Sequence, residues 1–263
     1  MNWIDELRPK ERRGSRPRCL AMIHADRAEV AHRLTGIVNR EFVTISPLDI
    51  WMPFGVPIAR QGLAADITPA RECKLTESQG FLDEEKRAIL RKWWLANSRA
   101  ANTPNWDIAS TCMVDGRRGL LLVEAKAHSG ELSTNGVSKA EPGNERSERN
   151  RETIKAAVDG ACGALSQLGP GWGIRCDSHY QLANRFAWSW KIASLGMPVV
   201  LVYLGFLKAD EMPAPFADDA EWRSSVLRHS RTVVPSEAWE ATIKIENASL
   251  TPLIRSLVQP LTS

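Results

Sequence analysis

The chain has 263 residues, of which 43% are hydrophobic, and its 34 Lys and Arg against 31 Asp and Glu give a formal net charge of +3. This composition excludes a generally disordered chain, because it supplies enough apolar surface for a large core. The small positive excess permits a nucleic-acid partner without arguing for one, since local patches of charge matter more than the net value.

The five cysteines are scattered along the chain and form no C-x-x-C pair, so the sequence predicts neither a disulfide framework nor a zinc–thiolate site. Residues 1–18 lack the apolar stretch of a signal peptide. No apolar run approaches the roughly 18 residues of a membrane span. We therefore expect a cytoplasmic protein without a membrane partner.

The sequence pattern of the first 75 residues predicts an extension of the core. Residues 1–18 are polar and basic, which indicates an arm, whereas residues 25–38 have helical periodicity with Asp26 as the capping residue. Residues 46–70 are rich in proline and predict irregular chain. We expect residues 1–75 to form an N-terminal extension that packs on the core.

A helix and a hairpin open the predicted core. Residues 76–98 have the pattern of an amphipathic helix, and residues 106–114 that of a strand. The Asp-Gly pair at 115–116 is a strong signal for a tight turn into the apolar run GLLLVEAKAH at 119–128. Residues 128–150 are polar and rich in turn-forming residues, which predicts a long loop.

The remaining periodicities alternate between helix and strand. Helices are predicted at 151–168, 178–195 and 218–230, strands at 197–207 and 239–245, and a terminal helix at 251–258. This order indicates an α/β fold with a mixed central sheet flanked by helices. We expect residues 76–207 to form that core and residues 208–263 to add a C-terminal helical part.

The strand at 119–128 carries two opposite charges where a buried strand is expected to be apolar. Side chains alternate between faces, so Glu124 and Lys126 point to the same side of the sheet. A two-residue turn places Asp107 directly across from Glu124, with Cβ atoms about 5 Å apart. A four-residue turn places it across from Lys126 instead. Both registers gather two carboxylates and one ammonium at the end of the hairpin.

Two carboxylates this close repel each other unless a cation lies between them. Oxygen ligands suit Mg²⁺ or Mn²⁺, and such an ion polarises a phosphodiester and lowers the pKa of an attacking water. Lys126 would then stabilise the developing charge. The residues therefore predict a metal-dependent hydrolytic site with Asp107 and Glu124 as ligands. The alternative is a surface ion pair at a fraying strand end, which would stabilise little.

Asp107, followed after a hairpin by Glu124-Ala125-Lys126 at the end of an apolar strand, resembles the motif of the PD-(D/E)xK nuclease superfamily. The resemblance covers residues 76–207 and implies a restriction-endonuclease-like fold. It also implies Mg²⁺ or Mn²⁺ bound by the two carboxylates, hydrolysis assisted by the lysine, and a nucleic-acid partner, DNA before RNA. The family's proline directly before the aspartate is absent, because Trp106 occupies that position.

Three residues outside the motif complete the expected site. The helix at 178–195 carries Gln181 and Arg185 on one stripe. Gln181 resembles a catalytic glutamine of some families in the superfamily, and Arg185 is expected to bind a nucleic-acid phosphate. The alternatives are a satisfied buried amide and an arginine that reaches solvent. Glu85 lies on the apolar stripe of the helix at 76–98. The resemblance makes it a third metal ligand, and its alternative is a first-turn glutamate stabilised by the helix dipole.

Two functional classes stay open: a metal-dependent endo- or exonuclease, and a non-catalytic nucleic-acid-binding or assembly protein with the same fold. The intact Asp107, Glu124 and Lys126 favour the nuclease, because a retired site is free to lose its costly charges. The D/E-x-K string recurs at 72–74 and 84–86 without a hairpin, and we expect no function for these copies. The sequence leaves open whether the chain forms a homodimer.

Overall fold

The computed structural model describes residues 4, 7–54, 71–97, 102–137 and 145–261. Within them the strands are β1 (Val43–Thr44), β2 (Trp51–Met52), β3 (Ile108–Val114), β4 (Arg117–Lys126), β5 (Val199–Leu207), β6 (Ile243–Ile245) and β7 (Ala248–Val258). They form one sheet in the order β1-β3-β4-β5-β7-β6, with β2 also paired to β3. Strands β4, β5 and β7 run parallel and the other pairs antiparallel. The sheet is therefore mixed, as the sequence predicted.

Helices cover both faces of the sheet. They are α1 (Ser15–Ile23), α2 (Arg27–Val38), α3 (Glu84–Trp94), α4 (Glu145–Ser166), α5 (Tyr180–Ser194) and α6 (Asp219–Ser230). The apolar residues of α1 and α2 share one buried cluster with one face of the central strands. Those of α3 to α6 share the second cluster with the opposite face. The protein is thus a mixed α/β fold in which the sheet lies between two helical layers.

The central strands are apolar at consecutive positions because both faces are covered. In β4, Leu120 and Leu122 belong to the cluster under α3 to α6, whereas Leu121 and Val123 belong to the cluster under α1 and α2. The buried strands predicted at 119–128 and 197–207 are confirmed. None of the helices in the described ranges is long and apolar enough to cross a membrane.

The start of α3 differs from the sequence prediction. Asp83 caps this helix by accepting a hydrogen bond from the backbone N–H of Lys86, so residues 76–83 precede it instead of forming its first turns. Leu82 therefore lies outside the helical period. The buried face of α3 carries Leu90 and Trp94, one position later than the predicted stripe.

Three other predictions of secondary structure are wrong. The end of the arm predicted at 1–18 is helical, because α1 begins at Ser15 and buries Arg18. The loop at 128–150 is shorter, because α4 begins at Glu145. The terminal helix at 251–258 is strand β7, between β5 and β6.

The physical reason for the last error lies in how β7 is buried. Leu253 and Ile254 are adjacent in sequence and pack into opposite clusters. Periodicity cannot distinguish a strand covered on both faces from a buried helix. The C-terminal part is therefore not purely helical, since its longest element belongs to the central sheet. The limits proposed for the three parts of the chain stay a prediction.

Candidate active site at the open end of the hairpin

The β3–β4 hairpin has the tighter of the two registers that the sequence allows. Both turn residues, at 115 and 116, have positive φ angles, 48° and 72°, as a two-residue hairpin turn requires. Val114 pairs with Arg117 on either side of the turn. This register sets Asp107 across from Glu124, one position beyond the last paired residues of the ladder.

Asp107 lies in a bend just before β3 and is partly buried. Its Oδ2 accepts a hydrogen bond from the backbone N–H of Ala125 at 2.8 Å. This bond joins the ends of the two strands, so the carboxylate is fixed beside Glu124 although the regular ladder has already ended. The sequence prediction that these two carboxylates lie at one strand end is confirmed.

Glu124 is almost completely buried, at 1% exposure, and two cations hold it. Its Oε1 accepts a hydrogen bond from the ammonium of Lys126, and its Oε2 accepts one from Nε of Arg185 at 2.6 Å. A buried carboxylate needs such partners, because an unpaired charge away from water costs several kcal/mol. The strand end carries both charges because they neutralise each other inside the protein.

Gln181 enters the site from α5. His179 is the N-cap of this helix and has a left-handed backbone conformation, with φ of 48°. Gln181 follows it in the first turn. The side-chain oxygen of Gln181 accepts a hydrogen bond from Nζ of Lys126 at 2.9 Å. Gln181 thus lies beside the predicted site residues, and its catalytic role stays a prediction.

Arg185, one turn further along α5, is only 6% exposed. Besides Glu124, its guanidinium donates to the carbonyl oxygen of Asn105 and to Oδ1 of Asn184, both at 2.8 Å. It also lies over the ring of Trp106, with its Cζ 4.7 Å from the centroid. The alternative that Arg185 reaches solvent is therefore wrong, because the side chain is buried. These contacts use three of the five N–H groups of the guanidinium, and its binding of a nucleic-acid phosphate stays a prediction.

The pKa values of the two carboxyl groups are displaced in opposite directions. Burial and the negative charge of Glu124 raise the pKa of Asp107 to about 7, and the charge of Glu72 adds to this. Burial also raises the pKa of Glu124, but the positive charges of Arg185 and Lys126 outweigh it and leave that pKa below its usual value. Glu124 is thus neutralised by the two cations beside it, whereas Asp107 is repelled by the negative charge of Glu124.

A cavity of about 680 Å³ opens next to these groups. Four of the residues discussed above line it: Asp107, Glu124, Gln181 and Arg185. The rest of the lining comes from α5 and from three loops: Tyr180, Asn184, Glu72, Lys74, Asn102, Thr103, Pro104, Asn105, Ser133, Asn135 and Gly136. Most of the lining is polar, so the cavity suits a charged or strongly polar ligand more than an apolar one.

Two residues of this lining, Glu72 and Lys74, were missed by the sequence prediction. Cys73 between them forms an isolated antiparallel bridge with Trp106, and this pairing brings residues 71–75 beside the site. Glu72 pairs with Arg16 of α1 at 3.0 Å. The only sequence signal was the E-x-K string itself, and no local pattern indicates a contact across such a distance in the chain.

Glu85 does not join the site. It lies in the first turn of α3 and is exposed, and it is not among the residues that line the cavity. The prediction that it faces the core is wrong, because it used the stripe that begins at Leu82, before the true start of the helix. The alternative, a glutamate favoured by the helix dipole, fits its position.

The carboxylates at this site suit a hard divalent cation. Mg²⁺ is commonly held by one or two carboxylates together with waters and substrate phosphates, and Asp107 and Glu124 supply two at the cavity wall. Burial contributes most to the raised pKa of Asp107, and repulsion by Glu124 adds to it; a cation between the two carboxylates would relieve this repulsion. In the part of the chain that the structure describes, no group of three or more His, Cys, Asp or Glu is arranged to hold a metal, so water and substrate would complete the shell.

A scan against protein-family models found no match for this chain, and neither did searches of curated proteins and of solved structures. The function is therefore inferred from the site alone.

Proposed function

We propose that this protein is a metal-dependent nuclease that hydrolyses phosphodiester bonds of DNA or RNA with Mg²⁺ or Mn²⁺. One observation carries the proposal: Asp107, Glu124 and Gln181 come from three separate parts of the chain and line one polar cavity, and the buried Lys126 contacts both Glu124 and Gln181 behind that wall. Burying this many ionisable groups together is costly, and such costs are typical of sites kept for chemistry or binding.

Each residue has a role that its contacts support. When bound, the metal would polarise the phosphodiester and lower the pKa of an attacking water. Asp107 and Glu124 would supply its protein ligands. Lys126 would place its positive charge beside the developing negative charge of the phosphate, and Gln181 would hold that ammonium in position through their 2.9 Å hydrogen bond.

The order of elements supports a restriction-endonuclease-like core at residues 76–207. Helix α3 precedes the antiparallel pair β3–β4, helices α4 and α5 follow, and β5 then lies parallel to β4. In this arrangement the hairpin end and the start of α5 lie on the same side of the sheet, where a backbone phosphate would enter. The same resemblance favours DNA over RNA as the substrate.

The test is cleavage of supercoiled, linear and single-stranded DNA, and of RNA, by the purified chain in Mg²⁺ or Mn²⁺. We expect the natural chain to cleave nucleic acid and a chelator to abolish this activity. Asp107→Asn and Lys126→Met should each reduce the cleavage rate at least a hundredfold. The matched controls are Asp159→Asn and Lys155→Met, which alter an exposed ion pair on α4. Activity retained by both site variants, or lost equally in the controls, would remove the assignment.

One observation favours a second candidate, a non-catalytic nucleic-acid-binding or assembly protein. Glu124 already has a cation on each oxygen, so this carboxylate is neutralised without a metal. In that case DNA would bind in a gel-shift assay equally with and without a chelator, and Asp107→Asn would leave binding unchanged. Metal-dependent cleavage excludes this candidate.

A further inference from the structure

Both oxygens of the Glu124 carboxylate are occupied by side chains of the protein. Lys126 holds one oxygen and Arg185 holds the other. Because Glu124 is 1% exposed, a cation offsets the cost of its buried charge better than a neutral water would. Each oxygen keeps a second lone pair, but the two positive charges that hold the carboxylate repel an incoming divalent ion. An ion that binds Asp107 and Glu124 together therefore competes with one of these two partners.

Arg185 is the partner better placed to leave. It lines the cavity beside Asp107 and Glu124, whereas Lys126 is not part of the lining. The negative charge of Asp107 also acts on the guanidinium. The guanidinium thus stands close to both carboxylates, on the side from which an ion would arrive.

Other contacts hold the Arg185 side chain in place when it releases Glu124. The carbonyl oxygen of Asn105, the side chain of Asn184 and the ring of Trp106 all hold the guanidinium independently of the carboxylate. Loss of the Glu124 contact therefore leaves the arginine anchored by the other three. Lys126 would keep only its bond to Gln181.

We propose that Arg185 is a stand-in for the metal ion. It neutralises Glu124 in the metal-free protein and keeps this buried ligand charged and in place, and it gives up Oε2 when a divalent cation binds between Asp107 and Glu124. Arg185 then competes with the metal ion for Glu124. This inference rests on the proposed function, because it assumes that the site takes a metal.

The test is the affinity of the protein for Mn²⁺ without substrate, measured by calorimetry and by the electron paramagnetic resonance signal of free Mn²⁺. Arg185→Met removes the competitor, so at pH 8 we expect Mn²⁺ to bind about tenfold more tightly than to the natural chain, equivalent to about 1.4 kcal/mol. Mn²⁺ should also raise the melting temperature of this variant more than that of the natural chain.

The matched control is Arg18→Met. Arg18 is also a buried arginine paired with a glutamate, Glu211, but neither residue lines the cavity. This variant should lose stability while its affinity for Mn²⁺ stays that of the natural chain. A change of affinity in the control as large as in Arg185→Met would overturn the inference.

Two further measurements apply if Arg185→Met does not fold. Arg185→Lys keeps the charge but loses the planar fork, and it should bind Mn²⁺ several-fold more tightly. In the natural chain, Mg²⁺ should speed the hydrogen exchange of the Arg185 Nε–H, since that group is freed from Glu124. An unchanged exchange rate with saturating Mg²⁺ would overturn the proposal.

The failure of this inference can be told apart from the failure of the proposed function. If the natural chain binds Mn²⁺ and cleaves nucleic acid while Arg185→Met binds the ion equally or more weakly, then the stand-in role is wrong and the nuclease stands. If neither chain binds Mn²⁺, both ideas are overturned together.

Discussion

The side-chain oxygen of Gln181 accepts a hydrogen bond from Nζ of Lys126 at 2.9 Å, although 55 residues separate the two in sequence. The contact joins the start of α5 to the end of β4 and fixes the direction of a buried ammonium. Lys126 has Glu124 as its second partner. Burial lowers the pKa of Lys126, but the negative charges of Glu124 and Asp107 outweigh this effect and leave the pKa above its usual value. The lysine is therefore held as a cation.

Replacing Gln181 should slow turnover more than it weakens substrate binding. Gln181→Ala removes one hydrogen bond to a charged group, which contributes about 1.5–3 kcal/mol, so we expect kcat to fall roughly 10- to 100-fold with KM little changed. Steady-state kinetics on a short DNA substrate measures both. Gln167→Ala, an exposed glutamine at the end of α4, is the control and should retain full activity.

Asp107→Asn should stabilise the metal-free protein at pH 8. The pKa of Asp107 is raised to about 7 in the folded protein by burial and by Glu124. The folded state therefore binds the proton more tightly than the unfolded chain, and stability falls as pH rises from about 4 to about 7. Asparagine keeps an acceptor for the N–H of Ala125 and has no charge to repel. With allowance for solvent screening, we expect a gain of about 1–2 kcal/mol.

Urea unfolding without metal measures this gain, and its dependence on pH is the critical feature. The difference between Asp107→Asn and the natural chain should be largest at pH 8 and should shrink toward zero near pH 4, where the aspartate is protonated in the folded state. A gain that does not change with pH would contradict the electrostatic explanation.

We expect Glu72 to influence metal binding and Glu85 to have no part in it, the reverse of the sequence prediction. Glu85→Ala should leave cleavage within twofold and stability within about 0.5 kcal/mol, because the side chain is exposed and away from the cavity. Glu72→Gln removes a negative charge that acts on Asp107, which is worth about 1 kcal/mol for a pair largely screened by water. Mn²⁺ affinity should then fall about fivefold. Equal effects of the two substitutions would contradict this assignment.

The part of the site within one hairpin could be predicted from sequence, because its geometry is local. A two-residue Asp-Gly turn fixes which residues face each other, and alternation along the strand fixes which side they share. The glutamine on α5 needed an analogy. Glu72 and Lys74 could not be predicted, because only the bridge between Cys73 and Trp106 brings them to the site.

The fold was predictable to a similar extent. Helices with a clear cap, such as the one after Asp26, begin where the sequence indicates. The errors fall where the pattern is ambiguous. Strand β7 is covered on both faces and has no alternation to reveal it. Helix α3 has a capping aspartate eight residues inside the predicted helix, at Asp83, and a shift of one position there turned Glu85 from the core to solvent.

The last prediction concerns how the N-terminal helix is attached. Arg18 of α1 is buried at 3% exposure and donates to Oε2 of Glu211 at 2.7 Å, while the backbone N–H of Gly14 donates to Oε1 at 3.2 Å. Burial raises the pKa of Glu211, but these hydrogen bonds and the charge of Arg18 outweigh it and lower the pKa to about 2. The attachment of α1 to the segment after β5 therefore depends on an ionised carboxylate.

Glu211→Gln should destabilise the protein, and the effect should depend on pH in a defined direction. Because the pKa is lower in the folded state, the stabilisation is complete above pH 4.5 and is lost as pH falls from 4.5 toward 2. Glu211 is about a third exposed, so after screening we expect a loss of about 1–2 kcal/mol at pH 7. Urea unfolding at pH 7, 5 and 3.5 measures it. Glu84→Gln, in an exposed pair with Arg87, is the control and should change stability by less than about 0.5 kcal/mol. A loss at pH 3.5 as large as at pH 7 would show that α1 is held by packing instead of by this charge.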